Sequence, residues 1–182
     1  MRLLIYGFGP YRQYKENITE KIIKRLPKRR GLRRVVFPVR LQKSQFIEAV
    51  KKYKPDVILG LGQCSKGSRL RIESRGINKR RNDRKERKKP IVPGGSRWLS
   101  TSLKIRPGRQ ARISHDAGDY VCNFSIYVIL DFLKRRNLAT HFGFIHIPHD
   151  YSLALAQRLL LRVARKIQTS YASKEIRSCL PF

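Results

Sequence analysis

An α/β fold is predicted for this chain: a single domain over residues 1–182, with a mostly parallel twisted sheet and helices on both faces. Short apolar, β-branched runs alternate with stretches of helical periodicity, the order that strand–helix–strand units produce. The 182 residues, 41% of them hydrophobic, suffice for one packed core. Two comfortable cores would need a longer chain.

The elements follow in order. Leu3–Tyr6 is the first strand, four apolar residues closed by the turn Gly7-Phe8-Gly9-Pro10. That run is too short for a secretion signal, and no stretch reaches the ~20 apolar residues that span a bilayer. A soluble, cytoplasmic protein without a membrane partner is therefore expected. Asn17–Leu26 reads as a helix, with Asn17 at the N-cap and Glu20 three residues on, the spacing of a capping box. Arg34–Val39 is the second strand. Ser44–Tyr53 places Phe46, Ile47, Val50 and Tyr53 on one helical face and stops before Pro55. Val57–Leu61, Leu70–Ile77, Ala111–Ser114 and Phe142–Ile147 read as strands. Tyr120–Arg135 and Leu153–Ser170 are the long helices, the second with Leu155, Leu159, Val163 and Ile167 at four-residue spacing. Strands separated by helices imply a largely parallel sheet, covered on both sides. A variable tail covers about 171–182, and no internal repeat is visible.

Charge sets this chain apart. It has 42 Lys and Arg against 12 Asp and Glu, a net charge of +30. Residues 24–34 hold seven basic residues and no acid; residues 79–89 hold eight against Asp83 and Glu86 and read as an exposed loop. Such a surface attracts polyanions non-specifically, through phosphates and in a salt-sensitive way, although no nucleic-acid-reading module is visible. The three cysteines, Cys64, Cys122 and Cys179, are too few and scattered for a disulfide framework, which points to a reducing compartment.

Two residues suggest chemistry. Cys122 follows the small-residue turn Ala117-Gly118-Asp119 and opens an apolar helix; His146 lies 24 residues on, in the buried-strand pattern Gly143-Phe144-Ile145-His146-Ile147-Pro148. A cysteine in such a place is most often a small packing residue. A helix N-terminus, however, lowers a thiol's pKa and offers N–H groups to an oxyanion. Thiol and imidazole together are the two halves of a cysteine hydrolase. Glu73, in a strand-like stretch where charge is rare, is the candidate to orient the imidazole; the plainer reading is a surface carboxylate paired with Arg71 or Arg75. A zinc site from Cys122, His146 and His149 lacks a fourth ligand at recognisable spacing, so neither metal nor cofactor is expected.

These residues carry a resemblance. Tyr6-Gly7-Phe8-Gly9-Pro10-Tyr11, Lys54-Pro55-Asp56-Val57 with Gly60-Leu61-Gly62-Gln63, and Ile72-Glu73-Ser74-Arg75-Gly76-Ile77-Asn78 follow one another in the order of the pyroglutamyl peptidase I motifs. So do Pro90-Ile91-Val92-Pro93-Gly94, Ala117-Gly118-Asp119-Tyr120-Val121-Cys122-Asn123 and Gly143-Phe144-Ile145-His146-Ile147-Pro148, and the last two are specific to that cysteine peptidase family. The resemblance implies a hydrolase-like α/β fold and removal of an N-terminal 5-oxoproline from peptides through a thioester. It implies Cys122 as nucleophile, His146 as base then acid, and Glu73 as orienter. Phe8 and Tyr11 would sandwich the lactam ring, with Gln63 and Val121 beside it. Arg81 or Arg84 would stand near the oxyanion. The alternative is a polyanion- or RNA-binding protein on the same scaffold, with altered or lost activity. Residues 100–112 leave little room for the helix that usually precedes the cysteine, and the loop beyond the histidine is missing. The resemblance therefore allows a homo-oligomer without requiring one.

Overall fold

The computed structural model of the chain describes residues 1–11, 14–65, 67–83, 85–106 and 108–178, with side chains as far as residue 169. Six strands form the main sheet: β1 (Leu3–Phe8), β2 (Leu32–Phe37), β3 (Val57–Cys64), β4 (Leu70–Glu73), β7 (Ala111–Ser114) and β8 (His141–Pro148). Their order is β2-β1-β3-β8-β4-β7, and β5 (Arg75–Ile77) pairs with β6 (Trp98–Ser100) in a second, two-stranded sheet. Helices α1 (Ile18–Arg25) and α4 (Leu153–Ser178) pack on one face of the main sheet, α2 (Lys43–Tyr53) and α3 (Val121–Arg135) on the other.

Strand alternation sorts the core. Leu3, Ile5, Leu59, Leu61, Ile145 and Ile147 lie on the α1/α4 face; Leu4, Tyr6, Phe8, Ile58, Phe142 and Phe144 lie on the α2/α3 face. Asn17 caps α1, its Oδ1 accepting from Thr19 N at 2.9 Å. Glu20 pairs with Lys24 at 2.7 Å. Asp56, beside β3, accepts from Arg2 N and Arg2 Nη2, and these bonds hold its carboxyl below the usual range although burial acts upward.

The parallel, two-sided sheet is present, with local differences. β4 runs antiparallel to β8 and parallel to β7, so these last two strands of the sheet, interior β4 and edge β7, are reversed relative to the rest. Only residues 65–69 join β3 to β4, and a parallel return needs a dozen residues or more. The expected strand Leu70–Ile77 is two strands, because the chain leaves the main sheet after Glu73 and passes under α3. At Gly76 a Cβ would lie 2.8 Å from Tyr127 N, so only glycine permits that approach. β6 has three residues, too few for a pattern to show. Among the described side chains of α4, Ala156, Leu160 and Ile167 are buried, while Leu155 is exposed. A strict four-residue ladder advances about 40° around the helix at each step, so a sheet face cannot hold all of it. No helix among the described residues is long and apolar enough to cross a membrane.

Candidate active site

The carboxyl ends of β1, β3 and β8 open on a cavity of about 610 Å³ whose wall includes Gln63, Arg71, Tyr120, Cys122 and His146. Ligands of open α/β sheets bind at that end.

His146 is positioned by register. It stands opposite Gly62 of β3 and Arg71 of β4. Glu73 lies two residues beyond Arg71 and so on the same face of the sheet. Glu73 Oε1 consequently meets His146 Nδ1 at 2.7 Å, with Glu73 wholly buried and His146 only 5% exposed. The surface-carboxylate reading of Glu73 does not hold. Its Oε2 has no hydrogen-bond partner among the described residues. A buried carboxylate with an unpartnered oxygen is costly, and a proton on the neighbouring imidazole would offset that cost.

Cys122 is the second residue of α3. The N-cap Tyr120 contributes no side-chain hydrogen bond, so the N–H groups of the first turn are not satisfied by their cap. The thiol and the histidine flank a space that β3 leaves open. A Cβ on Gly62 would sit 2.7 Å from Cys122 Sγ, 2.8 Å from His146 Cδ2 and 2.8 Å from Phe144 Cζ. Sulfur and the Cδ2 edge of the ring, away from the Nδ1 that meets Glu73, thus border the same small space. Burial pushes the Cys122 thiol well above its ordinary range, and the charges of Glu73 and then Cys64 act in the same direction; Arg71 acts the other way. Desolvation and the Glu73 charge thus act against the lowering that a helix N-terminus provides.

Polar brackets hold the start of α3. Asn123 Oδ1 accepts from Ile77 N at 2.9 Å, and its Nδ2 donates to Ile77 O and Lys79 O, both at 2.8 Å. Ser125 Oγ donates to Cys122 O at 2.8 Å and lies 2.9 Å from Tyr6 Oη. These side chains, with Gly62, were not singled out from sequence. Their signals were polar residues inside an apolar helix and glycines at alternate positions of a strand.

The other expected residues share the cavity wall. Val121, the first residue of α3, is buried beside Cys122. Gln63 Oε1 accepts from Ile18 N at 2.9 Å, which orients the amide and leaves Nε2 as its donor. Phe8 is 1% exposed, packed edge-on against Tyr6 with ring centres 5.8 Å apart. Tyr11 pairs with Tyr120, centres 5.0 Å apart, so Tyr120 adds an aromatic surface the sequence reading omitted. Arg81 Nε donates to Asp119 Oδ2 at 2.9 Å; Arg84 lies outside the described residues. The exposed His149 ring stands 5.6 Å from Tyr14.

The pyroglutamyl peptidase family model matches residues 1–158. Pyrrolidone-carboxylate peptidase 1 of Saccharolobus solfataricus is 28% identical over 179 residues, spanning 87% of this chain and 84% of its own. The pyrrolidone-carboxylate peptidase of Oceanobacillus iheyensis is 30% identical over 179 residues, spanning 87% of this chain and 89% of its own. Among solved structures, the pyrrolidone carboxyl peptidase of Thermococcus litoralis covers 96% of both chains with a TM-score of 0.83 at 22% identity. A mutant of the Pyrococcus furiosus enzyme covers 81% of both chains, with a TM-score of 0.74 at 28% identity. A polyanion-binding protein without peptidase activity finds no counterpart among these relatives.

Proposed function

This chain belongs to the pyroglutamyl peptidase family, and we propose that it hydrolyses the amide bond after an N-terminal 5-oxoproline, with Cys122, His146 and Glu73 as its catalytic group. The observation that carries the reading is the buried Glu73–His146 hydrogen bond of 2.7 Å, on the opposite edge of the ring from the thiol.

The steps follow from these groups. Burial opposes charge on the Cys122 thiol. Cys122 Sγ attacks the carbonyl carbon as His146 Nε2 takes the thiol proton, so no free thiolate has to be stored. Glu73 balances the imidazolium through Nδ1 and keeps the ring in the required tautomer. The carbonyl oxygen becomes an oxyanion, met by the uncapped N–H groups at the start of α3. His146 passes its proton to the departing amine, leaving a thioester. One water, deprotonated by His146, then releases 5-oxoproline and restores the thiol.

The flat lactam meets the aromatic wall of Phe8, Tyr11 and Tyr120, with Val121 beside it. Gln63 Nε2 is the donor for the ring carbonyl. A substrate without that amide would leave the donor unpaired, and this discriminates more sharply than shape alone. The need for a reduced thiol fits a cytoplasmic setting.

The test is release of aminomethylcoumarin from its pyroglutamyl amide under reducing conditions. Turnover is expected with this substrate and not with the alanyl or prolyl amides. No turnover by the unaltered protein, across neutral and mildly alkaline pH, would refute the reading.

A further inference from the structure

A second cavity, of about 620 Å³, lies at the two-stranded β5–β6 sheet and is lined by Arg75, Ile77, Asn78, Lys79, Arg97 and Trp98. Among the described residues it shares no lining residue with the cavity at Cys122, and the peptidase reading assigns it no task. Trp98 is the only tryptophan of the chain and is 49% exposed. The Arg75 guanidinium lies over its ring, 5.7 Å from the centre, and is held there by a 2.9 Å bond from Arg75 Nε to His115 O. Arg97 is exposed next to it in the chain. Lys79 completes the cationic wall, with Asp116 on its ammonium at 2.7 Å.

Lys79 also begins the basic loop 79–89. Arg80 and Lys89 exchange two 2.8 Å backbone hydrogen bonds, so the loop folds back; its Arg81 and Lys88 turn to Asp119 on the wall of the Cys122 cavity, which leaves Lys79 as the loop's contribution to the second cavity. An open indole, a guanidinium stacked on it and flanking cations suit one chemistry: a flat heterocycle joined to phosphates. Duplexes hide the faces of their bases. Sulfated sugars carry charge but offer no flat face. Single strands present both.

We propose that Trp98, with Arg75, Arg97 and Lys79, forms a binding site for single-stranded nucleic acid. A base stacks on the indole, and the neighbouring phosphates meet Arg97 and Lys79. The net charge of +30 supplies long-range attraction, and the aromatic cavity supplies the preference for unpaired bases. This inference does not depend on the peptidase reading.

Because Trp98 stands alone, its fluorescence reports this site directly. Oligoadenylate of about 12 nucleotides, at about 50 mM salt, is expected to quench it saturably, with the midpoint moving to higher concentration as salt rises. Anisotropy of the labelled oligonucleotide should show W98A binding about tenfold more weakly, R97Q several-fold more weakly, and W98Y close to unaltered protein. Circular dichroism and thermal unfolding of W98A serve as its fold control. If W98A does not fold, W98Y and R97Q decide the matter. Three results would overturn the proposal: absent quenching at low salt, equal quenching by heparin or duplex DNA, or undiminished binding by both W98A and R97Q.

Discussion

The two faces of the main sheet are built from the same strands and do different work. Under α1 and α4 the alternate residues are Leu3, Ile5, Leu59, Leu61, Ile145 and Ile147, an aliphatic layer. Under α2 and α3 the intervening positions are Tyr6, Phe8, Gly60, Gly62, Phe144 and His146. On that second face two glycines replace branched side chains. A Cβ at Gly60 would lie 2.4 Å from Phe144 Cδ2, and one at Gly62 would enter the space bordered by Cys122 and His146. Stability comes mainly from bulk that excludes water, each buried Leu or Ile contributing about 1.5–3 kcal/mol. Chemistry requires room next to buried charge. Splitting the two tasks between faces lets one strand serve both.

That division is open to test, from the face that should govern turnover to the face that should not. C122A is expected to reduce hydrolysis to background, by at least about 10⁴-fold, with thermal unfolding nearly unchanged. An active C122A protein would remove the α3 face from the chemistry. E73Q should lower kcat by about 10³–10⁴-fold, since the imidazolium loses its counter-charge. Because the Glu73 carboxylate raises the thiol pKa, E73Q should also move the onset of iodoacetamide alkylation at Cys122 to lower pH. An onset at higher pH would break the assigned electrostatics. G62A should cost about 10²-fold in kcat with little change in KM, because the methyl group would separate thiol from ring. L61A, the adjacent residue on the opposite face, should destabilise by about 2–5 kcal/mol and leave kcat within a few-fold. A large kcat effect in L61A would show that the faces are not independent.

Some of the site was legible from residues alone. Cys122 at the head of an apolar helix and His146 in a strand are local patterns, and both elements form where their periodicity indicates. Tyr11 and Gln63 were traceable through motif resemblance, although the Tyr11–Tyr120 stack and the bond from Ile18 N to Gln63 Oε1 were not. The opposing influences on the thiol were not legible, because helix position is local whereas desolvation depends on everything packed around the sulfur. The four-residue ladder of α4 misled for a related reason: the sheet it lies on selects which stripe is buried.

By itself the sequence determined the repeating units, the N-cap at Asn17, the charge of +30, and which residues of each strand share a face, since alternation and helical period are properties of neighbours in the chain. Tertiary structure alone decided which strands lie side by side. The order β3-β8-β4 brings Glu73 to a histidine 73 residues away and sets Gly62 opposite that same histidine. Alternation says which way a side chain turns; only strand pairing, a choice made across the whole chain, says what it meets there.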